Sequence, residues 1–162
     1  MTISVGDKLP GGTVLIMGAE GPEQVDLAKK FAGRNVVLFG LPGAFTGTCT
    51  NAHLPSFIRT KGQFDAKGVD EVICLAVNDP FVLDAWSSAT GAGAAGITLV
   101  GDAGSEFVSA AGLDMTAPGA GFYKRSKRFA LYAEDGVVKV INIEDSPGVC
   151  GISAGEGLLA EM

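Results

Sequence analysis

Residues 35–49 read NVVLFGLPGAFTGTC, and this stretch decides the fold. Its first six residues are mostly apolar, which is typical of a strand that is buried in a sheet. The segment 51–59 that follows can form a helix, so Cys49 lies in the first turn of that helix. There the unpaired backbone N–H groups and the positive end of the helix dipole favour a thiolate. The stretch therefore predicts a strand, a loop and a helix that presents a reactive thiol.

Apolar strands alternate with helical segments along the rest of the chain. The predicted strands are 13–17, 71–77 and 97–100, and the predicted helices are 26–31, 80–90 and 105–113. Asp135-Gly136 then separates the apolar runs 129–132 and 137–141, which predicts a β-hairpin. Ser153 and Glu156 have the spacing of a capping box and predict a terminal helix. Parallel βαβ units followed by a hairpin and a helix indicate an α/β protein whose mixed central sheet is flanked by helices, an order that fits a thioredoxin fold.

Composition narrows the class of protein. The chain has 162 residues, 47% of them hydrophobic, so a single domain over 1–162 is expected. A net charge of −6 argues against nucleic acid or an anionic membrane as a partner, and no apolar run reaches the length of about 18 residues that a membrane span needs. Residues 1–7 lack the features of a signal peptide, and three cysteines are an odd number. These features predict a cytoplasmic protein whose cysteines serve chemistry.

Several local patterns are interpreted without a functional role. The basic cluster 124–128 is expected to be a solvated loop. The G-x-G-x-x-G match at 91–96 ends a helix and opens a strand, the reverse of the order that dinucleotide binding requires. The G-x-S-x-G match at 151–155 has no acid and histidine downstream, because only seven residues follow it. Nucleotide binding and serine hydrolase chemistry are therefore not predicted.

A zinc site is the harder alternative to exclude. Cys49 and His53 share a helix face, and Cys74 and Cys150 could complete a Cys3His set. No C-x-x-C spacing occurs in the chain. Redox thiols are therefore favoured over a metal, and no cofactor is expected.

Pro42, Thr46 and Cys49 form the pattern P-x-x-x-T-x-x-C. This pattern and the surrounding GLPGAFTGTCTNAHLPSF resemble the peroxiredoxins, in particular their atypical peroxiredoxin-five (type II) subfamily. The segments VGDKLP, CLAVNDPFVLDAW and KRFALYAEDG are also similar to that subfamily, so the resemblance runs nearly end to end. One departure is Gly47, where many members have a second proline. The resemblance implies a thioredoxin fold with the N-terminal extension of peroxiredoxins and a peroxidase that needs no cofactor.

Ionisation of the thiol is not sufficient for a fast peroxidase. A free thiol with a pKa near ~8.5 is a few per cent ionised at neutral pH, so complete ionisation gains only about 30-fold in thiolate. The leaving oxygen must also be stabilised as the O–O bond breaks. The resemblance implies that Thr46 and Arg128 do this while Pro42 shields the sulfur. The backbone N–H groups of Thr48 and Cys49 are further candidate donors.

The resemblance assigns His53 a supporting role at most. His53 lies at i, i+4 from Cys49 and could be considered as its base. In the resembled family the equivalent histidine lies near the pocket without acting as the base.

Attack on a hydroperoxide would leave Cys49 as a sulfenic acid, which another thiol must resolve. Cys74 lies in an apolar strand, where an inert core cysteine is the common interpretation. Cys150 lies in a stretch with proline and glycines that is expected to be mobile and exposed. Animal members resolve through a cysteine similar to Cys150 and plant members through one that resembles Cys74. Cys150 is favoured, with Cys74 or external glutathione, glutaredoxin or thioredoxin as alternatives.

The sequence thus predicts a peroxidase that reduces hydrogen peroxide and alkyl hydroperoxides. The resemblance further implies a homodimer that forms next to the active-site loop. One alternative is a thioredoxin-like disulfide reductase, although the absence of C-x-x-C disfavours it. A second alternative is a redox-sensing or chaperone-like thiol protein without catalytic turnover.

Overall fold

A computed structural model describes residues 1–162 as nine strands and five α-helices. The strands are β1 (Thr13–Gly18), β2 (Gly21–Asp26), β3 (Asn35–Leu41), β4 (Glu71–Ala76), β5 (Ile97–Gly101), β6 (Asp114–Ala117), β7 (Phe122–Ser126), β8 (Phe129–Glu134) and β9 (Val137–Ile143). The helices are α1 (Leu27–Phe31), α2 (Leu54–Ala66), α3 (Pro80–Thr90), α4 (Glu106–Ala110) and α5 (Gly155–Leu159). A π-helical turn, Cys49–His53, leads directly into α2, and a 3-10 turn, Pro118–Ala120, separates β6 from β7.

Seven strands form one mixed sheet in the order β2-β1-β5-β4-β3-β8-β9. The inner strands β3, β4 and β5 run parallel, whereas β8 and β9 on one side and β1 and β2 on the other pair antiparallel. The predicted mixed α/β sheet is therefore confirmed. None of the helices has the length and apolar content that crossing a membrane requires.

The sheet is covered on both faces, and β3 shows why its sequence is almost uninterruptedly apolar. Val36 and Leu38 pack into a core with Phe31 and Phe107, on the side of α1 and α4. The intervening residues point to the opposite side, into a second core that also contains side chains of α2, α3 and α5; these residues are Val37, Phe39 and Leu41. Because side chains alternate along a strand, a strand buried on both faces needs an apolar residue at every position.

The sequence patterns that predicted α3 and the hairpin of β8 and β9 are confirmed. Asp79 accepts a hydrogen bond from the backbone N–H of Val82, Pro80 opens α3, and Gly91 ends it with φ 80°. Asp135 and Gly136 have φ values of 50° and 74°, as the two-residue turn between β8 and β9 requires.

Other elements differ from the prediction. The strand β2 was not predicted. It contains Pro22, which is tolerated because β2 is an edge strand. The hairpin of β6 and β7 was not predicted, and β7 contains part of the basic cluster that was expected to be a solvated loop. The capping box was also wrong: α5 begins at Gly155 after Ala154, and the hydroxyl of Ser153 donates instead to Glu144, where it gains a charged partner.

Candidate active site

Cys49 lies where the loop after β3 enters the π-helical turn. Its side chain is 1% exposed and packs in the second core. The N–H of Leu54 donates to the carbonyl of Cys49 and closes the turn, and the N–H of Thr50 donates to the carbonyl of Thr46 just before it, at 3.0 Å. A π-helical turn inserts one residue into a helix and is frequent at functional sites. The sulfur is therefore held at the base of the active-site loop rather than on the open surface.

Arg128 contacts the sulfur of Cys49. Its Nη2 lies 3.2 Å from Sγ, and the side chain is 2% exposed. The register that pairs Gly40 with Phe129 brings the start of β8 next to the end of β3. Gly40 permits this approach, because a β-carbon there would collide with the ring of Phe129. The sheet thus places a buried cation beside the thiol from 79 residues away in sequence.

The remaining contacts of this arginine are to neighbouring backbone and to a histidine. Arg128 donates from Nε and Nη2 to the carbonyl of Pro147, at 3.0 and 2.8 Å. Its Nη1 lies 3.1 Å from Nδ1 of His53. A guanidinium has five N–H donors and no acceptor, so these contacts hold the fork in one orientation.

His53 is fully buried, and its contacts decide its tautomer. Nδ1 must accept from Arg128, because the guanidinium only donates. Nε2 then carries the proton and donates to the carbonyl of Ser153, 2.9 Å away. Burial, followed by the charge of Arg128, lowers the pKa of His53 to about 3. His53 is therefore neutral at physiological pH, and its one ring lone pair accepts from Arg128.

Thr46 and Pro42 line a cleft of about 310 Å³ above this site, together with Arg128. The hydroxyl of Thr46 donates to the carbonyl of Gly43 at 2.7 Å and makes no hydrogen bond with Cys49. Because its proton is committed, this hydroxyl presents only lone pairs to a molecule in the cleft. The structure therefore brings Arg128 to the sulfur and leaves Thr46 at the wall of the cleft.

The two other cysteines lie in different surroundings, and all three thiols are free. Cys74 is 1% exposed in β4, opposite Phe39 of β3. Burial, and next the proximity of Cys49, raise the pKa of Cys74 well above its usual value. Cys150 is half-buried, less open than predicted, and burial raises the pKa of its thiol.

Cys150 belongs to a segment that joins β9 to α5, residues 144–154, which we term the Cys150 loop. Several side chains attach it to the site. Arg128 holds Pro147, and the hydroxyl of Thr48 donates to the carbonyl of Gly148 at 3.2 Å. Within the loop, its first residue, Glu144, accepts from the N–H groups of Gly151 and Ser153 and from the Ser153 hydroxyl, at 2.6 to 2.9 Å.

Glu144 is a residue that the sequence did not indicate. Burial alone would raise its pKa, but the hydrogen bonds from Ser153 and Gly151 and the charge of Arg128 outweigh this and lower the pKa.

Arg125 was also missed, although it belongs to the basic cluster. Its Nη1 donates to the carbonyl of Pro42 at 2.9 Å. Pro42 lies 83 residues from Arg125, and Cys49 lies 79 residues from Arg128. No local pattern could therefore have identified these contacts.

The cysteines and His53 do not form a metal centre. No group of three or more His, Cys, Asp or Glu side chains is arranged to hold an ion. In the alternative Cys3His set, His53 has no ring nitrogen free for a metal, because it uses both for hydrogen bonds.

Comparison with known proteins identifies relatives of the whole chain. The matching family model is described as Redoxin and covers residues 4–155. Rice (Oryza sativa) chloroplastic peroxiredoxin-2E-2 is 45% identical over 98% of this chain and 72% of that protein. The structure of reduced Prx3 from Vibrio vulnificus in complex with H2O2 is 40% identical, with a TM-score of 0.91 over 98% of each chain. A Burkholderia cenocepacia protein, provisionally described as a thioredoxin reductase, is 35% identical with a TM-score of 0.94 over 100% of this chain and 99% of that one.

Proposed function

The chain belongs to the Redoxin family and is a type II peroxiredoxin with a thioredoxin fold, a thiol-dependent peroxidase, and on this premise we propose that Cys49 is the thiol that attacks the peroxide. The observation that carries the proposal is the contact of 3.2 Å between Nη2 of Arg128 and Sγ of Cys49. A buried cation hydrogen-bonded to sulfur stabilises the thiolate, which is the nucleophilic form. Residues 1–162 are proposed to act as one catalytic domain, in keeping with the family match over 4–155.

The thiolate of Cys49 attacks the terminal oxygen of the hydroperoxide. An S–O bond forms while the O–O bond breaks, and the leaving oxygen takes up a proton, which balances the one that the thiol released on ionisation, to become water or an alcohol. The sulfur is oxidised by two electrons to a sulfenic acid, and the peroxide is reduced by the same two electrons. Negative charge therefore moves from the sulfur towards the leaving oxygen during the step.

Each group around the cleft is given a role in that charge movement. Arg128 contacts the sulfur already and has an Nη1 proton left to follow the charge onto the peroxide. Thr46 accepts a hydrogen bond from the peroxide O–H, since its own proton is committed to Gly43. Pro42 excludes water from the sulfur, and backbone N–H groups of Thr48 and Cys49 add donors at the helix start. His53 serves as a neutral support that orients Arg128.

Cys150 is proposed to resolve the sulfenic acid. The Cys150 thiol loses its proton and attacks the sulfur of the oxidised Cys49. A disulfide forms as the S–O bond breaks, and the leaving hydroxide takes up a proton to become water. The Cys150 loop contacts the neighbour of Cys49 directly, through Thr48 and Gly148. Cys74 remains the alternative inside the chain, and an external thiol remains the alternative outside it. Thioredoxin, glutaredoxin or glutathione would then restore the dithiol.

Substrate, assembly and location are parts of the same proposal. A cleft of about 310 Å³ suits hydrogen peroxide and small alkyl hydroperoxides. A homodimer next to the active-site loop is supported by Phe45, which is 57% exposed with φ 61° at the tip of that loop. A reducing compartment such as the cytoplasm is supported by three free thiols. No nucleic acid, membrane or cofactor is part of the proposal.

One experiment tests the assignment of the reacting thiol. The reduced protein receives one equivalent of hydrogen peroxide, and its cysteines are mapped by non-reducing peptide mass spectrometry. We expect a disulfide between Cys49 and Cys150 and none in the Cys49→Ser variant. A reduced Cys49 in the presence of persisting peroxide would contradict the assignment. Repeated turnover with dithiothreitol excludes a sensor without turnover, and an insulin-reduction assay tests the reductase suggested by the Burkholderia protein.

A further inference from the structure

We infer that Asn78 and Arg125 are positioning residues for the peroxide, because they hold the two successive peptide planes that set the direction of the Thr46 hydroxyl. The inference rests on the proposed role of Cys49. Neither residue belongs to the loop between β3 and the π-helical turn, and neither contacts the sulfur. Asn78 follows β4, and Arg125 lies in β7.

Asn78 and Thr46 hold opposite ends of one peptide plane. The plane between residues 43 and 44 carries the carbonyl of Gly43 and the N–H of Ala44. Thr46 donates to that carbonyl at 2.7 Å, and Oδ1 of Asn78 accepts from that N–H at 3.0 Å. Rotation of this plane would move the carbonyl, and the Thr46 hydroxyl would follow its acceptor. Asn78 therefore fixes the direction in which the lone pairs of Thr46 point.

Arg125 holds the preceding plane. Its Nη1 donates to the carbonyl of Pro42 at 2.9 Å, and its guanidinium carbon lies 5.4 Å from the centre of the Phe122 ring. The ring restrains the fork from one side by a cation–π contact. The plane between Pro42 and Gly43 is thus tied to β7, which belongs to the separate two-stranded sheet.

Gly43 lies between the side chains of Asn78 and Arg125, and the space around it shows how closely they approach the backbone. A β-carbon at Gly43 would lie 2.6 Å from Nη1 of Arg125 and 3.5 Å from Oδ1 of Asn78. The first distance is too short for real atoms, so only glycine allows Arg125 to reach its acceptor. Three of the four polar backbone groups of these two planes are therefore hydrogen-bonded: two carbonyls to Arg125 and Thr46, and the N–H of Ala44 to Asn78.

Different residues orient Thr46 and stabilise the Cys49 thiolate. Cys49 is held by the π-helical turn and by Arg128, which lies just before β8. Loss of Asn78 would misdirect Thr46 and leave the contact between Arg128 and Cys49 in place. A displacement of about 1 Å of a positioning group can cost about 100-fold in rate. We expect the second-order rate of Cys49 oxidation by hydrogen peroxide to fall by about 10- to 100-fold, with little change in alkylation of Cys49 by iodoacetamide.

The test compares Asn78→Leu with Asn78→Asp. Leucine removes the acceptor and keeps the same branching with the same number of side-chain heavy atoms, whereas aspartate retains an oxygen for the N–H of Ala44. Stopped-flow oxidation, iodoacetamide alkylation of Cys49 and thermal unfolding are measured for each. Asn78→Leu should lose peroxide reactivity selectively, and Asn78→Asp should recover most of it. A parallel fall in oxidation, alkylation and melting temperature would mean a structural role only and would overturn the inference.

Arg125→Met is compared with Arg59→Met, a matched loss of an exposed arginine that pairs with Glu156 of α5. Only Arg125→Met should slow the reaction with peroxide, by several-fold or more, and Arg125→Lys should restore part of the rate. Equal peroxide rates in the wild type, Asn78→Leu and Arg125→Met would also overturn the inference. A wild-type Cys49 that does not react with peroxide at all would instead contradict the proposed function, so the two failures are distinguishable.

Discussion

Cys74 and Cys150 are both covered, but different kinds of bond hold them in place. Cys74 is part of β4, the strand between β3 and β5, and pairs with Phe39 on one side and Leu99 on the other. Cys150 has no strand partner, and its loop is attached by hydrogen bonds that the side chains of Arg128 and Thr48 donate, while Glu144 within the loop accepts from the N–H of Gly151. The burial of Cys74 is a property of the central sheet, whereas that of Cys150 depends on a few removable contacts.

The difference indicates which thiol can reach an oxidised Cys49. Central strands open only with the whole domain, at a free energy of about 5–15 kcal/mol. A loop held by single hydrogen bonds opens for about 1 kcal/mol per bond. Arg128, which holds this loop at Pro147, also contacts the sulfur of Cys49. The choice of resolving thiol therefore depends on the free energy of opening, and it favours Cys150.

Replacing each thiol in turn gives the largest expected effect. Cys150→Ser should abolish the intramolecular disulfide after one equivalent of peroxide and leave Cys49 as sulfenic acid or higher oxides. Cys74→Ala should retain the disulfide, since Cys74 stays inside the sheet. Non-reducing peptide mass spectrometry measures both. Loss of the disulfide in Cys74→Ala, with retention in Cys150→Ser, would mean that Cys74 and not Cys150 resolves the oxidised Cys49.

Arg128→Met should slow the reaction of Cys49 and expose Cys150. Removal of one positioned donor from an active site typically costs about 100- to 1,000-fold in rate, and we expect that loss in the oxidation of Cys49. The same substitution removes both hydrogen bonds that hold the carbonyl of Pro147 in the Cys150 loop, so Cys150 should be alkylated faster. Cys74 should be unaffected. Stopped-flow oxidation and timed alkylation of each thiol provide the measurements. Unchanged alkylation of Cys150 would contradict the role of Arg128 in holding the Cys150 loop.

Acid should lower the free energy of unfolding through His53, which is neutral in the folded protein. The folded pKa of about 3 lies below the ordinary value near 6.5, so the unfolded chain takes up a proton first as the pH falls. The stability from neutral His53 is complete above pH 6.5 and declines below it. Between about pH 8 and about pH 5 the free energy of unfolding should fall by about 2 kcal/mol from this group. Urea unfolding at both pH values measures the fall, which His53→Gln should lack.

Glu144→Gln should produce the smallest effect and should be confined to one region. The carboxylate accepts three hydrogen bonds from the end of the Cys150 loop, and an amide oxygen is a weaker acceptor. A loss of about 1 kcal/mol corresponds to about a fivefold faster alkylation of Cys150. Acid should act similarly on the wild type, since the lowered pKa means that the carboxylate contribution is lost as the pH falls through the folded value. Faster alkylation of Cys74 as well would indicate general loosening instead.

Residues that are near in sequence account for what could be predicted. The apolar run of β3, the Asp79–Pro80 start of α3 and the Asp135–Gly136 turn each act within a few residues, and the structure contains all three. The capping box failed although it is also local, because a carboxylate from the end of β9 offered Ser153 a better partner. Local patterns therefore hold where no distant group competes for the same polar atoms.

The sequence alone determined the fold class, the family and the position of the candidate thiol, because strand periodicity, turn chemistry and a short motif are local properties of the chain. Tertiary structure decided the tautomer of His53, the hydrogen bonds of Asn78 and Arg125 to the backbone of residues 42–44, and the attachment of the Cys150 loop to Arg128. Each of these depends on hydrogen bonds between residues 19 to 100 positions apart, or on burial that shifts a pKa. Such contacts exist only after the sheet has set β3 beside β8, so no pattern along the chain contains them.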